Sequence, residues 1–346
     1  MKKRKIFLYG LIFCTGFLSF LYLSGHKVAY SDVDCTQCHP DKSQGKVIHP
    51  AVQMGCTACH TGVDASEVPH KMTNKNPKGL SADAPELCFG CHDKKMFEGK
   101  DVHPPVAAGM CLSCHHPHVS NNEKLLRAEP PELCFGCHDK KMFEGKDVHP
   151  PVAAGMCLTC HKPHASNNEK LLQAEPPKLC FTCHDEGMFK KKFVHPPVAA
   201  GMCLTCHKPH ASSNEKLTVS PVPELCYTCH KRKDTKKDVH PPVAAGMCLF
   251  CHSPHSTDNT HQLLLPLNNL CLQCHPEKAS DGHVARTFVS QYHPVQGKPD
   301  PSRPGHMLSC ISCHNPHQSD YIRLFQFKAE SAFGICAYCH KNIGGI

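Results

Sequence analysis

Cys88-Phe89-Gly90-Cys91-His92 is the stretch that decides how this chain is built. It is a Cys-x-x-Cys-His pentapeptide, and the chain carries it thirteen times. The first cysteines are Cys35, Cys56, Cys88, Cys111, Cys134, Cys157, Cys180, Cys203, Cys226, Cys248, Cys271, Cys310 and Cys336. The second are Cys38, Cys59, Cys91, Cys114, Cys137, Cys160, Cys183, Cys206, Cys229, Cys251, Cys274, Cys313 and Cys339. The closing histidines are His39, His60, His92, His115, His138, His161, His184, His207, His230, His252, His275, His314 and His340. Of the 27 cysteines only Cys14 is left over. Residues i, i+3 and i+4 share one face of a helical turn, so the two cysteines and the histidine of a motif point the same way. Two thioethers can then hold a porphyrin edge while the imidazole reaches the iron, which is the attachment signature of c-type haem. A zinc site needs four ligands and no histidine directly after the second cysteine. A disulfide framework leaves that histidine unexplained as well. Thirteen covalent haem c groups are expected, with the closing histidines as proximal iron ligands.

A chain of 346 residues would ordinarily make two or three domains. Divided among thirteen motifs, it leaves each too short a span to bury an apolar core of its own. The porphyrins must be the core, as metals and disulfides are in other small modules, and the chain without them should be largely unfolded. The formal charge of +8 misleads. Residues 1–31 hold five of the 38 basic side chains and none of the 30 acidic ones, so the remainder is close to neutral. Two propionates per haem should make the assembled protein acidic. The basic balance therefore marks no nucleic-acid surface.

Residues 1–5 are basic, residues 6–23 form an apolar run, and small residues precede Asp32. Together they read as a signal peptide over 1–31, with the chain exported. An uncleaved membrane anchor is the alternative, since the run is just long enough to span.

Residues 85–112 recur unchanged at 131–158, a period of 46 with two motifs in each period. Regular middle repeats with irregular ends describe a linear array with caps. The division is an N-terminal dihaem unit over 32–84, four 46-residue dihaem repeats over 85–270 and a C-terminal trihaem unit over 271–346. Within a unit, a helical turn carries the first motif. Pro104 and Pro105 should then hold the chain extended. Ser120 and Glu123 read as a capping box opening a short helix that Pro130 ends; Ser166 with Glu169 and Ser212 with Glu215 repeat it. No strand alternation is evident. The expected fold is mostly irregular, with short α-helices, very little β structure and an elongated repeat array.

A six-coordinate iron needs a second ligand. With the motif histidines and His26 set aside, sixteen of the thirty histidines remain. One recurring type precedes a second motif and is followed by proline: His49, His103, His149, His195, His240 and His293. The other ends Cys-His-x-Pro-His: His118, His164, His210, His255 and His317, with His70 standing in the corresponding place at the start. The haem at Cys336 needs one more, for which His283 is the first choice and His306 the second. His118 is too near His115 to reach the far face of the same porphyrin, so it should serve a neighbouring haem. His116 and His261 lack counterparts in the other repeats. Met54, Met110, Met156, Met202 and Met247 abut the motifs too closely to be far-side ligands and should pack against porphyrin.

The chain resembles multihaem c-type cytochromes of the doubled Cys-x-x-Cys-His kind. The likeness rests on His103-Pro104-Pro105-Val106, on Cys111-Leu112-Ser113-Cys114-His115-His116-Pro117-His118, and on Cys310-Ile311-Ser312-Cys313-His314-Asn315-Pro316-His317. It implies covalent haem, bis-histidine iron and respiratory electron transfer, in the periplasm, at the outer membrane or outside the cell. It also implies redox-protein donors and acceptors as partners, with an outer-membrane porin or self-assembly into filaments as further arrangements. Two functions compete. An electron conduit needs every iron closed by two histidines. A multihaem reductase of a small nitrogen or sulfur oxyanion needs one open iron, often marked by an altered motif. All thirteen motifs keep their histidine, and the free histidines outnumber the irons, so the conduit reading, without enzymatic activity, is preferred.

Overall fold

The computed structural model describes residues 34–280, 293–328 and 334–340. Residues 1–31, expected from the sequence to be a signal peptide, and His283 lie outside them. Each of the thirteen motifs forms one tight turn in which the closing histidine's amide donates to the first cysteine's carbonyl at 2.9–3.1 Å. Several first motifs lie on one α-helical turn, as in Glu86–Phe89 and Glu132–Phe135. The second motifs are 3-10 turns such as Cys111–Ser113 and Cys157–Thr159.

Between the motifs of a repeat the chain departs from the extended reading. His103 is extended (φ −56, ψ 126), as a residue before proline must be. Pro104 then opens a four-residue helix, Pro104–Ala107, instead of prolonging the extended chain. Proline suits the first helical position because the N–H it lacks would find no partner there. Gly109 ends the turn at φ +69, and a Cβ on it would lie 2.6 Å from Cδ of Pro85. Glycine there permits the close approach of the two motif turns of one repeat.

The capping box does not form. Ser120 is buried in a two-residue strand, and its Oγ donates to the carbonyl of Leu126 at 2.6 Å. Glu123 does not reach back to it; its amide donates to Oε1 of Glu129 at 3.0 Å. The residues read as a helix instead form a tight turn with Lys124 and Leu125 at φ 54 and 57. Serine hydroxyls that bond nearby backbone compete with helix in this way.

Successive units interlock through short antiparallel pairs. Asp101–Val102 pairs with Ala165–Ser166, Asp147–Val148 with Ala211–Ser212, and Phe193–Val194 with Ser256–Thr257. Val47–Ile48 with Val119–Ser120 and Asp238–Val239 with Gln318–Ser319 extend the pattern towards the ends. Each pair joins one unit to the following one, so the architecture is an elongated repeat array. Among the described residues the only buried apolar side chains are Ala165, Ala211 and Leu263. The accessible surface is 26193 Å². A globular protein of 38.2 kDa would expose about 14,000 Å². Protein atoms alone do not make a core here. No helix among the described residues is long and apolar enough to cross a membrane.

Candidate haem-binding sites

The strand pairs bring histidines together in a fixed way. The amide of His103 donates to the carbonyl of His164 at 2.9 Å, and the same bond links His149 to His210, His195 to His255 and His240 to His317. The two rings of such a bonded pair then diverge. The ring of His103 faces His138, in the first motif of the following repeat, and the ring of His164 faces His115, in the second motif of the preceding repeat. One backbone hydrogen bond thus presents imidazoles to two consecutive motifs.

Among the described residues, twelve motif histidines each face a second histidine. First motifs give His49–His92, His103–His138, His149–His184, His195–His230 and His240–His275. Second motifs give His60–His118, His115–His164, His161–His210, His207–His255 and His252–His317. The ends give His39–His70 and His293–His340. All twelve centroid separations fall between 5.9 and 6.3 Å.

That spacing fits an iron held between the rings. Two metal–imidazole bonds of about 2 Å, with roughly 1 Å more from each bonded nitrogen to its ring centre, give about 6 Å. Aromatic pairs without a metal spread over about 4.5–7 Å. The Nδ1 atoms are also spoken for. In the second motifs, Nδ1 of His115 bonds the Lys124 carbonyl, His161 that of Lys170 and His207 that of Lys216, each at 2.9 Å. Among the facing histidines, Nδ1 of His103 bonds the Pro163 carbonyl at 3.0 Å and that of His149 the Pro209 carbonyl at 3.1 Å. A carbonyl can only accept, so Nδ1 carries the proton and Nε2 keeps its lone pair for a metal. The half-buried imidazoles of His118, His164, His210, His255 and His317 are less basic than usual, chiefly through burial and then through facing histidines. They are therefore neutral, as ligands must be.

The cysteines of successive motifs lie near one another in sequence order. Burial and a hydrogen-bonded neighbour, Cys111, push the Cys88 thiol up to about 11, with Cys59 of the preceding motif also near. Cys134 stands in the same relation to Cys157, Cys180 to Cys203, Cys226 to Cys248 and Cys271 to Cys310. Between units the second cysteines are electrostatic neighbours: Cys114 of Cys137, Cys160 of Cys183, Cys206 of Cys229 and Cys251 of Cys274. Cys35 with Cys56 and Cys313 with Cys339 complete the line. A continuous cavity of about 3260 Å³ follows the histidine pairs from His195 to His340, some three times the volume of a large single-ligand pocket, about 1,000 Å³.

Two placements differ from the sequence reading. His70 does not act as a counterpart of His118. It sits at the end of the connection that joins Val63–Asp64 to Lys71–Met72 in a hairpin, and faces His39 of its own unit. No earlier unit exists among the described residues to supply His39 with a His103-type partner, and the long gap before Cys88 supplies one locally. At the other end His293 faces His340 of the Cys336 motif, while His283 lies outside the described residues. His306 is exposed, and its carbonyl accepts from the amide of Asp300. His314 stacks on Phe325 at 5.0 Å. His261 contributes backbone only, its carbonyl holding Nδ1 of His252.

Sequence reasoning missed the carbonyl anchors and the carboxylates behind them. Asp101 accepts from the amide of Leu171 at 3.0 Å, and Asp147 from that of Leu217 at 3.1 Å. Each fixes the left-handed turn whose carbonyl orients a motif histidine of the next unit. The available signal was the recurring Asn-x-Lys-Leu at 122–125 and 168–171, which overlaps the capping-box pattern Ser120-x-x-Glu123.

The doubled CXXCH motif family matches the chain six times, over residues 49–97, 103–143, 149–189, 195–235, 240–280 and 303–345. The matched segments begin at His49, His103, His149, His195 and His240, so each of these five encloses a facing pair such as His103–His138. No curated protein matches the chain.

Proposed function

Because this chain belongs to the doubled CXXCH motif family and its motifs carry covalent haem c, we propose that thirteen haems form one unbranched electron conduit, ordered along it as in the sequence. Haem c supplies reversible one-electron iron chemistry, and the protein supplies binding, orientation and electrostatics. The closing histidines are the proximal ligands. His49, His70, His103, His118, His149, His164, His195, His210, His240, His255, His293 and His317 are the distal ones, and His283 remains a candidate outside the described residues.

The observation that carries the reading is that the cysteines of successive motifs lie near one another in order from Cys35 to Cys339, thiol hydrogen bonds such as Cys88 with Cys111 alternating with longer-range electrostatic neighbours such as Cys114 and Cys137. Porphyrins tethered at neighbouring cysteines are brought close together, which short-range electron transfer requires. Bis-histidine ligation sets lower potentials than histidine–methionine, which suits an anaerobic or extracellular respiratory chain. The protein is exported and exchanges electrons with redox proteins at its ends, without turning over a substrate of its own.

The test is the mass of the mature protein together with its ferric spectrum. The mass should exceed the polypeptide by thirteen haems, the iron should be wholly low-spin, and carbon monoxide should not bind at native pH. A substantial high-spin fraction that takes up carbon monoxide would favour the reductase instead.

A further inference from the structure

The twelve histidine pairs share a spacing but not an angle. In the first motifs the two ring planes lie 6–24° apart. In the second motifs the angles divide into two sets. His115–His164, His161–His210 and His207–His255 are turned by 40°, 38° and 33°. His60–His118 and His252–His317, which occupy the same place in the repeat, are turned by only 25° and 22°.

One side chain separates these sets. Phe97 packs on His164, Phe143 on His210 and Phe189 on His255, with centroids 5.0, 5.0 and 4.9 Å apart and the rings tilted by 47–58°. Counted back from the His-Pro pair, Ser43 stands where Phe97 would face His118, and Asp234 where it would face His317. Asp234 is paired there with Arg232, which lies over Tyr227. The phenylalanines are braced from behind. Phe89 backs Phe97, Phe135 backs Phe143 and Phe181 backs Phe189, at 5.4–5.5 Å. Each backing ring lies inside a Cys-x-x-Cys-His motif, so a thioether on either side fixes it.

Rotation about the last bond of a histidine side chain has only broad minima, so a tilted aromatic contact suffices to choose the ring's angle. The proximal ring opposite cannot follow, because its Nδ1 is tied to a carbonyl such as that of Lys124. We propose that Phe97, Phe143 and Phe189 are positioning residues that turn the distal imidazoles of three central irons, giving those irons a ligand-plane angle that the other repeat irons lack. The proposal rests on the bis-histidine reading above. Parallel imidazole planes split the two iron orbitals that take part in π bonding, and twisted planes bring them closer in energy. The twist therefore appears as a higher maximal g value in the ferric state. The conduit would then hold a central group of electronically distinct irons among near-parallel ones. The end pairs, His39–His70 at 54° and His293–His340 at 85°, reach wide angles by another route and should add a separate, more anisotropic signal.

Electron paramagnetic resonance of the fully oxidised holoprotein tests this. In the triple variant Phe97→Leu, Phe143→Leu, Phe189→Leu, about three haem equivalents of intensity should move to the lower maximal g of the near-parallel set, with haem content and spin state unchanged. In Ser43→Phe, one equivalent should move the opposite way. A triple variant that keeps its haems low-spin with an unaltered g distribution overturns the proposal and leaves bis-histidine ligation standing. High-spin iron in the parent protein would overturn the ligation reading itself. Should the triple variant fail to load haem, Ser43→Phe decides alone, and the absence of an upward shift there overturns the proposal.

Discussion

At the scale of the residue, each facing pair combines histidines of different kinds. The motif histidine is fixed by its own turn. Along the repeats the histidine facing it is delivered from another unit, and burial and its neighbour make it less basic, as at His164. Replacing His164 by alanine should open the iron of the Cys111 motif alone. We expect about one haem equivalent of high-spin signal and matching carbon monoxide uptake, with the covalent haem mass unchanged. His116, whose amide merely donates to the Leu125 carbonyl, should give no such signal when changed to alanine.

At the scale of the element, the left-handed turns are the parts under strain. Lys170 and Leu171 sit at φ 55 and 57, where an L-residue costs roughly 1–2 kcal/mol. That cost is borne where the Lys170 carbonyl orients His161. Leu171→Gly should therefore raise the unfolding free energy by up to about 1 kcal/mol, and Leu171→Ile should lower it by a similar amount, because a β-branched side chain fits that region worse. Denaturant unfolding followed at the Soret band distinguishes the two signs. The carboxylate of Asp147 holds the equivalent turn one repeat on, through the Leu217 amide. Asp147→Ala removes that acceptor, at a cost of about 1 kcal/mol. Because contacts in a repeat array are local, the loss should appear as faster hydrogen exchange at Leu217 and its neighbours, with distant repeats unaffected.

At the scale of the molecule, near-identical units related by one repeated operation give a rod or a superhelix. The strand pairs and the neighbouring cysteines follow that single direction. Small-angle scattering of the monomeric holoprotein should accordingly give an elongated envelope. A near-spherical one would mean that the units fold back on one another. His39 is met by His70 of the same unit.

The sequence by itself determined the local chemistry. Thirteen motifs, each a single turn with its cysteines and histidine on one face, follow from spacing alone, because every bond that shapes the turn lies within four residues. The scarcity of regular structure was equally legible, since so short a span between motifs has no room for a core. Which histidine meets which motif was decided by the tertiary structure. His103 goes forward and His164 backward because an antiparallel pair of two residues joins segments some sixty positions apart, and no local pattern encodes which ring faces which way across such a pair. The same holds for His70 and His293, which face His39 and His340 of their own units, a pairing no local pattern distinguishes. Ring angle is still less legible. It depends on whether a phenylalanine of one unit touches a histidine of the next, a contact that exists only once the array has assembled.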